Sequence, residues 1–293
     1  MKNEKFLKIG FIGSDRQSVL EDLKFAAENK FGYYEIQGTG TNFDLVPEIV
    51  REIRKISKKS NISLRLHIPY FLPISSSIPE ISKAALKFAK KEILLAKRVG
   101  AKWITIHSGH LDSHWRKEII IKQAEILIEN LKELVNFAKR YGIEINLENS
   151  WEEAVGVKAN EILKVVKSAP GLKIVFDIGH ANAASLDPIE YFRKIRKYVS
   201  AIHTHDNDGK SDQHALIGEG NINFKEFLRE CKNSNYYGPF ILEIFPRKDV
   251  LEGKEIIGPA DGAKAREVFI KSESDNDYVN PKEDQEKRDK WQL

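Results

Sequence analysis

Eight short segments rich in β-branched and aromatic residues alternate with longer amphipathic segments along this chain. The strand-like segments are 8–13, 33–38, 63–70, 103–109, 144–150, 173–181, 200–206 and 240–246. Segments with helical periodicity lie between them, at 19–28, 45–59, 81–99, 117–141, 159–167, 188–198 and 224–232, with a short one near 263–271. This alternation predicts parallel strands joined by helices, and eight strands is the number that closes a (β/α)8 barrel. We therefore predict an α/β fold, a single TIM barrel.

An open, doubly wound sheet is the alternative arrangement of such segments. A dinucleotide-binding version carries a glycine-rich phosphate turn after its first strand. Here Gly10 and Gly13 are followed by Ser14, Asp15 and Arg16, which do not continue that pattern. The barrel is the better prediction.

The domain limits follow from composition. At 293 residues and 41% hydrophobic content, the chain suits one large domain. We place the barrel at 1–271 and a polar, mobile tail at 272–293. No apolar run approaches the roughly 18 residues that a membrane span needs, and the start lacks a signal-peptide pattern. We expect a cytoplasmic protein without a membrane partner; the sequence leaves its oligomeric state open.

Cysteine content and net charge limit the kinds of metal site and binding partner that the sequence supports. Cys231 is the only cysteine, which excludes an intramolecular disulfide and a cysteine-based zinc site. Any metal site must therefore use His, Asp and Glu. The formal net charge of +4 is too small to indicate nucleic-acid binding by itself.

Metal-competent side chains stand at the ends of six consecutive strand segments, where enzyme sites of this barrel lie. The candidates are His67, His107, Glu148, Asp177, His203 and Glu243, with His180, Asp212 and His214 in the following loops. Each strand-end candidate follows a large apolar residue, namely Leu66, Ile106, Leu147, Phe176, Ile202 and Leu242. Side chains alternate across a strand, so we expect the apolar set to face the helices and the polar set to face the barrel axis.

A single histidine in such a place is more often a hydrogen-bonded core residue than a ligand. Nine imidazoles and carboxylates in one cavity are different, because uncompensated buried charges are costly and like charges oppose ionisation. Divalent cations relieve both effects. The set has enough ligands for two or three ions, and mixed imidazole and carboxylate ligation fits zinc best, then manganese or iron.

Ordered motifs connect these residues to a known family. They are HIPY (67–70), HSGH (107–110), LEN (147–149), DIGH (177–180), HTHD (203–206), DQH (212–214), GEG (218–220) and LEI (242–244). Over 60–246 the chain resembles the xylose isomerase-like barrel superfamily and, within it, endonuclease IV. The resemblance implies that Glu148 bridges metal ions. It implies one ion on His67 and His107, a second on Asp177, His203 and Glu243, and a third on His180, Asp212 and His214.

Three departures from the endonuclease pattern are visible. The chain has KIGFIG where the endonucleases begin with Gly-Ala-His, and QGTGTNFD where they carry an Asn-Pro-Arg loop that penetrates DNA. It has DIGH in place of Asp-Thr-Cys-His, a form more usual among sugar isomerases and epimerases.

Two enzyme classes therefore remain open, with a non-catalytic binding protein as a third. The first is a zinc-dependent phosphodiester hydrolase that acts on abasic DNA in repair, with cationic groups for DNA at Arg16, Lys158, Lys210, Arg247 and Lys248. The alternative is a metal-dependent sugar or sugar-phosphate isomerase or epimerase that uses Glu148 and Glu243 as its acid/base pair. The catalytic candidates are Glu148, Glu243 and Asp177.

Substrate-binding candidates are Tyr70, Gln37, His110, Asn149, His205 and Lys210. Tyr70 matches a tyrosine that stacks on DNA in the endonucleases, although loop packing explains it equally well. His205 lies on the same strand face as His203, so it either supports that ligand or is the ligand itself. Thr204 is not a large apolar residue, which favours His203.

Overall fold

A computed structural model describes residues 8–14, 18–38, 46–113, 115–151 and 153–258. Eight parallel strands form a closed barrel in which each strand pairs with the next and β8 pairs with β1, as the sequence predicts. The strands are β1 Lys8–Ile12, β2 Tyr33–Gln37, β3 Ser63–His67, β4 Trp103–Ile106, β5 Glu144–Glu148, β6 Lys173–Asp177, β7 Val199–Thr204 and β8 Pro239–Leu242.

Helices follow the strands in the described ranges. They are α1 Val19–Glu28, α2 Pro47–Ser60, α3 Pro79–Val99, α4 Lys117–Lys139, α5 Ala159–Ser168, α6 Ile178–Ala183, α7 Pro188–Ile195, α8 Phe224–Asn233 and α9 Lys248–Ile257. The short α6 lies at the mouth of the barrel, where its His180 lines a cavity. The sequence did not predict α6 or α9. The predicted helix near 263–271 and the predicted tail at 272–293 lie outside the described residues.

The sixth predicted strand, 173–181, is too long. β6 ends at Asp177, whose side chain accepts a 2.6 Å hydrogen bond from the backbone N–H of His180 and so caps α6. A carboxylate in this position satisfies an amide that the first helical turn leaves unpaired. His107 and Glu243 likewise lie one residue beyond β4 and β8.

The predicted alternation of side chains is confirmed. Leu66, Phe176 and Leu242 are fully buried in the large core between barrel and helices, together with Ile106, Leu147 and Ile202. A second, smaller apolar cluster consists of Ile12, Val175, Ala201 and Ile241. The inward positions of β2 to β5 are polar instead, with Glu35, Arg65, Thr105 and Asn146 all buried.

No helix in the described ranges is both long enough and apolar enough to cross a membrane.

Candidate metal centre

A cavity of about 560 Å³ opens at the C-terminal ends of the strands. Among the candidate ligands, its walls include His67, His107, His180, Asp212, His214 and Glu243. The most buried candidates, Asp177, His203 and Glu148, are at most 1% exposed. The nine predicted ligands are therefore brought together, some on the cavity wall and some beneath it.

Glu148 is surrounded by three imidazoles. Its Oε2 lies 2.9 Å from Nε2 of His67 and 3.0 Å from Nε2 of His107, while its Oε1 lies 3.0 Å from Nδ1 of His203. The Nδ1 of His67 lies 2.7 Å from the carbonyl oxygen of Ile68. A carbonyl only accepts, so Nδ1 carries the hydrogen and the Nε2 lone pair of neutral His67 faces the carboxylate, as a metal ligand requires.

A four-residue group lies beside this carboxylate. Glu148, Asp177, His203 and Glu243 each present a ligand atom within 4.8 Å of the others, and all four are buried. Nδ1 of His203 is 3.0 Å from Oε2 of Glu243. Asp177 Oδ2 and Glu243 Oε2 are buried, and neither has a partner in hydrogen-bond geometry despite this close approach of His203.

Asp212 joins two further histidines. Its Oδ2 lies 3.4 Å from Nε2 of His180 and 2.9 Å from Nε2 of His214. Both histidines donate Nδ1–H to backbone carbonyls, His180 to Asn149 at 2.8 Å and His214 to Glu243 at 2.9 Å. His214 adopts a positive φ of 50°, a conformation that is uncommon for a residue other than glycine.

His205 is fully buried and lies among the candidate ligands, not on the accessible wall where a substrate contact was predicted. Its Nε2 is 3.3 Å from Oδ1 of Asp177 and 3.3 Å from Oδ1 of Asp212. Gly179 makes room for the ring, because a Cβ at position 179 would lie 2.0 Å from Cε1 of His205. Packing against His205 therefore explains why the DIGH motif of this chain has glycine at position 179.

A buried network beside His203 was not predicted from the sequence. Glu35 Oε2 accepts from Nε of Arg65 at 2.9 Å and lies 3.2 Å from Nε2 of His203. Thr105 donates its hydroxyl to the other oxygen of Glu35. Burial alone would raise the pKa of Glu35, but the charges of Arg65 and His203 hold it well below its usual range. The sequence feature that could have indicated this network is Glu35, a charged residue between Tyr34 and Ile36 inside a strand segment.

The other predicted substrate contacts fall in three places. Gln37, Tyr70 and His110 line the cavity. Asn149 is buried, and its amide accepts from the N–H of Asp177 at 2.8 Å and donates to the carbonyl of that residue at 2.9 Å. It therefore ties the end of β5 to the end of β6. Lys210 is exposed and does not line the cavity.

The predicted DNA-binding cations are not gathered around the cavity. Arg247 pairs with Asp22, and its guanidinium lies 4.9 Å above the ring of Phe25. No Lys or Arg lines the cavity within the described part of the chain. Arg16 lies outside the described residues.

The electrostatics of the cluster favour added positive charge. Burial alone would raise the pKa of Glu148, but nearby His203 and His107 hold it well below its usual range. Burial would lower the pKa of His203 and His180, yet the carboxylates around them raise both well above the usual value. These groups stabilise one another only while the imidazoles carry a proton or a metal ion.

The donor set fits divalent cations. Three-residue groups form around His67, Glu148 and His203, around Asp177, His180 and His205, and around His205, Asp212 and His214. Three buried atoms of these groups lack hydrogen-bond partners, namely Asp177 Oδ2, His205 Nε2 and Asp212 Oδ1. Buried polar atoms in folded proteins are almost always paired, so these orphaned atoms indicate positions for ions.

Comparison with known proteins agrees with this architecture. A family model described as a xylose isomerase-like TIM barrel matches residues 23–267. A crystal structure of a D-tagatose 3-epimerase-like protein superposes with a TM-score of 0.78 at 28% identity, covering 91% of this chain and 98% of that one. Fructoselysine 3-epimerase of Shigella flexneri is 27% identical over 166 residues, which cover 55% of this chain and 59% of the epimerase.

An endonuclease is also among the relatives. A protein of Thermosipho melanesiensis named probable endonuclease 4 is 29% identical over 221 residues, covering 66% of this chain and 75% of that protein. The relatives thus include both enzyme classes that the motifs suggest. The fold, the strand-end donor set and the match over 23–267 lead to one conclusion: this chain belongs to the xylose isomerase-like TIM barrel family.

Proposed function

We propose that this protein is a metal-dependent isomerase or epimerase that acts on a small carbohydrate. The observation that carries the proposal is the buried group of Glu148, Asp177, His203 and Glu243 at the base of a cavity that Glu243 enters. The epimerase relatives support it. This reverses the order of the two enzyme classes that the motifs alone favoured.

The ligands of the principal ion are the four residues of that group, with zinc the preferred metal and manganese or iron as alternatives. When bound, such a dication polarises a carbonyl oxygen and so acidifies the neighbouring C–H bond. His67 and His107 hold Glu148 from one side. Asp177 is held through both backbone polar groups by Asn149.

Glu148 and Glu243 serve as the acid/base pair. One carboxylate takes the proton from the carbon beside the carbonyl, and the other returns a proton to the opposite face, so the stereocentre inverts without net gain or loss of atoms. Glu243 reaches the cavity directly, whereas Glu148 is 1% exposed behind His67 and His107. We therefore assign the first proton transfer to Glu243.

The cavity wall favours an uncharged carbohydrate. Its aromatic residues are Tyr70, Phe71, Trp151 and Phe245, which offer apolar surfaces to the C–H faces of a sugar ring. Gln37 and Ser150 on the same wall supply hydrogen bonds to hydroxyl groups. The described wall has no Lys or Arg side chain for a phosphate group.

Deuterium incorporation tests the proposal. Metal-loaded protein is incubated in heavy water with unphosphorylated ketoses, and the products are followed by proton NMR. We expect deuterium at one carbon adjacent to the carbonyl, together with a new stereoisomer or a carbonyl shift. An absence of exchange with all ketoses and aldoses tried, in protein shown to hold metal, would overturn it.

A second candidate function is phosphodiester hydrolysis at abasic DNA. The observation that favours it is Glu148, whose two oxygens face different histidines as a carboxylate that bridges two ions would. The additional donors at His180, Asp212 and His214 exceed the needs of one ion. A labelled duplex with one abasic site distinguishes the candidates, because only the hydrolase produces strand incision, and elemental analysis gives the number of ions.

A further inference from the structure

We propose that His205 is itself a metal ligand, admitted to the centre by Gly179, and that it binds an ion together with Asp212 and His214. The inference rests on the metal centre proposed above, but not on which reaction that centre performs. From the sequence, His205 was only an alternative to His203 at one ligand position, whereas this proposal makes it a ligand in addition to His203.

The orientation of His205 presents one nitrogen to the site. Its Nδ1 lies 3.4 Å from the carbonyl oxygen of Asp206, which only accepts, so this nitrogen carries the ring hydrogen. The Nε2 lone pair then faces two carboxylates, Asp177 and Asp212, each 3.3 Å away. A lone pair between two anions is unfavourable unless a cation lies among them.

A proton alone fits this space poorly. A ring N–H lies in the plane of the imidazole, and His205 Nε2 has no oxygen in hydrogen-bond geometry despite both 3.3 Å approaches. Asp212 Oδ1 is buried without a hydrogen-bond partner as well. The distances suit a metal instead, because ligands 2.0–2.1 Å from a tetrahedral zinc are about 3.3 Å from one another.

His214 completes the group. The rings of His205 and His214 stack at 4.3 Å with an angle of 20°, and both direct Nε2 toward Asp212. The ligand atoms of these three residues lie within 4.8 Å of one another. Both rings also hold their other nitrogen on a backbone carbonyl, which fixes the tautomer in which Nε2 is free to bind.

This position of the His205 ring requires a glycine at position 179. A Cβ there would approach Cε1 of His205 to 2.0 Å and its Nε2 to 2.3 Å, so any other residue would displace the ring. The adjacent Asp177 and His180 are held independently, by Asn149. A substitution at 179 should therefore move His205 while leaving those two ligands in place.

Zinc binding by the full-length protein tests the inference. His205→Phe keeps a flat, stacked ring but removes the donor, and Gly179→Ala keeps every donor but displaces the ring. Gly253→Ala is the matched control, since its Cβ would meet only apolar atoms, the nearest being Ile244 Cδ1 at 2.7 Å. Zinc affinity is measured by competition with a chromophoric chelator, zinc content by elemental analysis, and imidazoles per zinc by X-ray absorption.

We expect both site variants to bind one zinc ion at least about tenfold more weakly than wild type, with fewer imidazoles per zinc, and Gly253→Ala to bind normally. Thermal unfolding of the metal-free proteins shows whether each variant is folded. If folded His205→Phe keeps the wild-type affinity, content and imidazole count, His205 is not a ligand. If wild-type protein binds no zinc, the proposed metal centre is wrong and the assignment of His205 as a ligand is overturned with it.

Discussion

Glu35 and His203 are joined across the barrel by a contact of 3.2 Å between Oε2 and Nε2. Arg65 and Thr105 both donate to Glu35, so its carboxylate is held in place and acts as an acceptor. His203 must then carry its hydrogen on Nε2, which leaves Nδ1 free between Glu148 and Glu243. The network one layer below the cavity thus sets the tautomer of a candidate ligand.

Replacing Glu35 should weaken metal binding. Glu35→Gln keeps an oxygen that accepts from His203 but removes the charge that makes the imidazole a stronger donor to a cation. We expect zinc affinity to fall about 10- to 100-fold, measured by chelator competition. Tyr34→Phe is the control. Tyr34 lies on the same strand as Glu35 but on its opposite face, and the substitution removes a buried hydrogen bond to Asp22. Equal affinities for Glu35→Gln and wild type would contradict the assignment.

Replacing Glu243 should remove catalysis by the proposed isomerase. Glu243→Gln has nearly the same shape but no longer accepts a proton, so kcat should fall at least about 100-fold and deuterium exchange should stop. The exposed glutamate of α9, changed in Glu252→Gln, should leave both unchanged. If Glu243→Gln retained exchange while holding metal, the proton transfer would belong to another residue.

Metal binding should strengthen as the pH rises. Burial would lower the pKa of His214, but its hydrogen bond with Asp212 and the charge of Glu243 raise it to about 9. Metal-free His214 is therefore protonated at neutral pH, and an ion must displace that proton. We expect apparent zinc affinity to increase by up to about tenfold per pH unit for each displaced proton, measured by calorimetry in buffers of different ionisation enthalpy.

The contribution of His214 to the stability of the metal-free protein should instead decrease as the pH rises. A histidine whose pKa is higher in the folded state stabilises it fully below the unfolded pKa of about 6.5. For His214 that contribution disappears as pH rises through about 9. In urea unfolding of metal-free protein, His214→Gln should therefore have a lower free energy of unfolding than wild type at the acidic end of this window. The difference between the two proteins should shrink toward the alkaline end. A difference that does not depend on pH would contradict the raised pKa.

Asn149 should prove important for both stability and metal binding. Asn149→Ala leaves the buried N–H and carbonyl of Asp177 without their amide partner, which should cost about 2–4 kcal/mol in urea unfolding. Asn130→Ala removes a comparable amide that bridges Ile74 and Ser82 away from the centre. Only Asn149→Ala should also reduce zinc affinity, and an equal affinity in the two variants would argue against its positioning role.

Much of the architecture was readable from local pattern. The eight alternating segments predicted the closed barrel, and the apolar residues before His67 and Asp177 predicted which side chains face the helices. Strand ends were overestimated because β-type composition continues beyond the last ladder hydrogen bond. At 173–181 the capping carboxylate of Asp177, not residue type, decides where the strand stops.

Local sequence determined that a barrel forms and that donors collect at one end of it, because side-chain alternation and strand order are properties of neighbouring residues. Tertiary structure decided which donors meet. Glu35 is 168 residues from His203, and the contact exists only because the closed barrel brings β2 and β7 across a common axis. The same holds for Gly179 and His205, since the space that one residue leaves for another is a property of the packed fold.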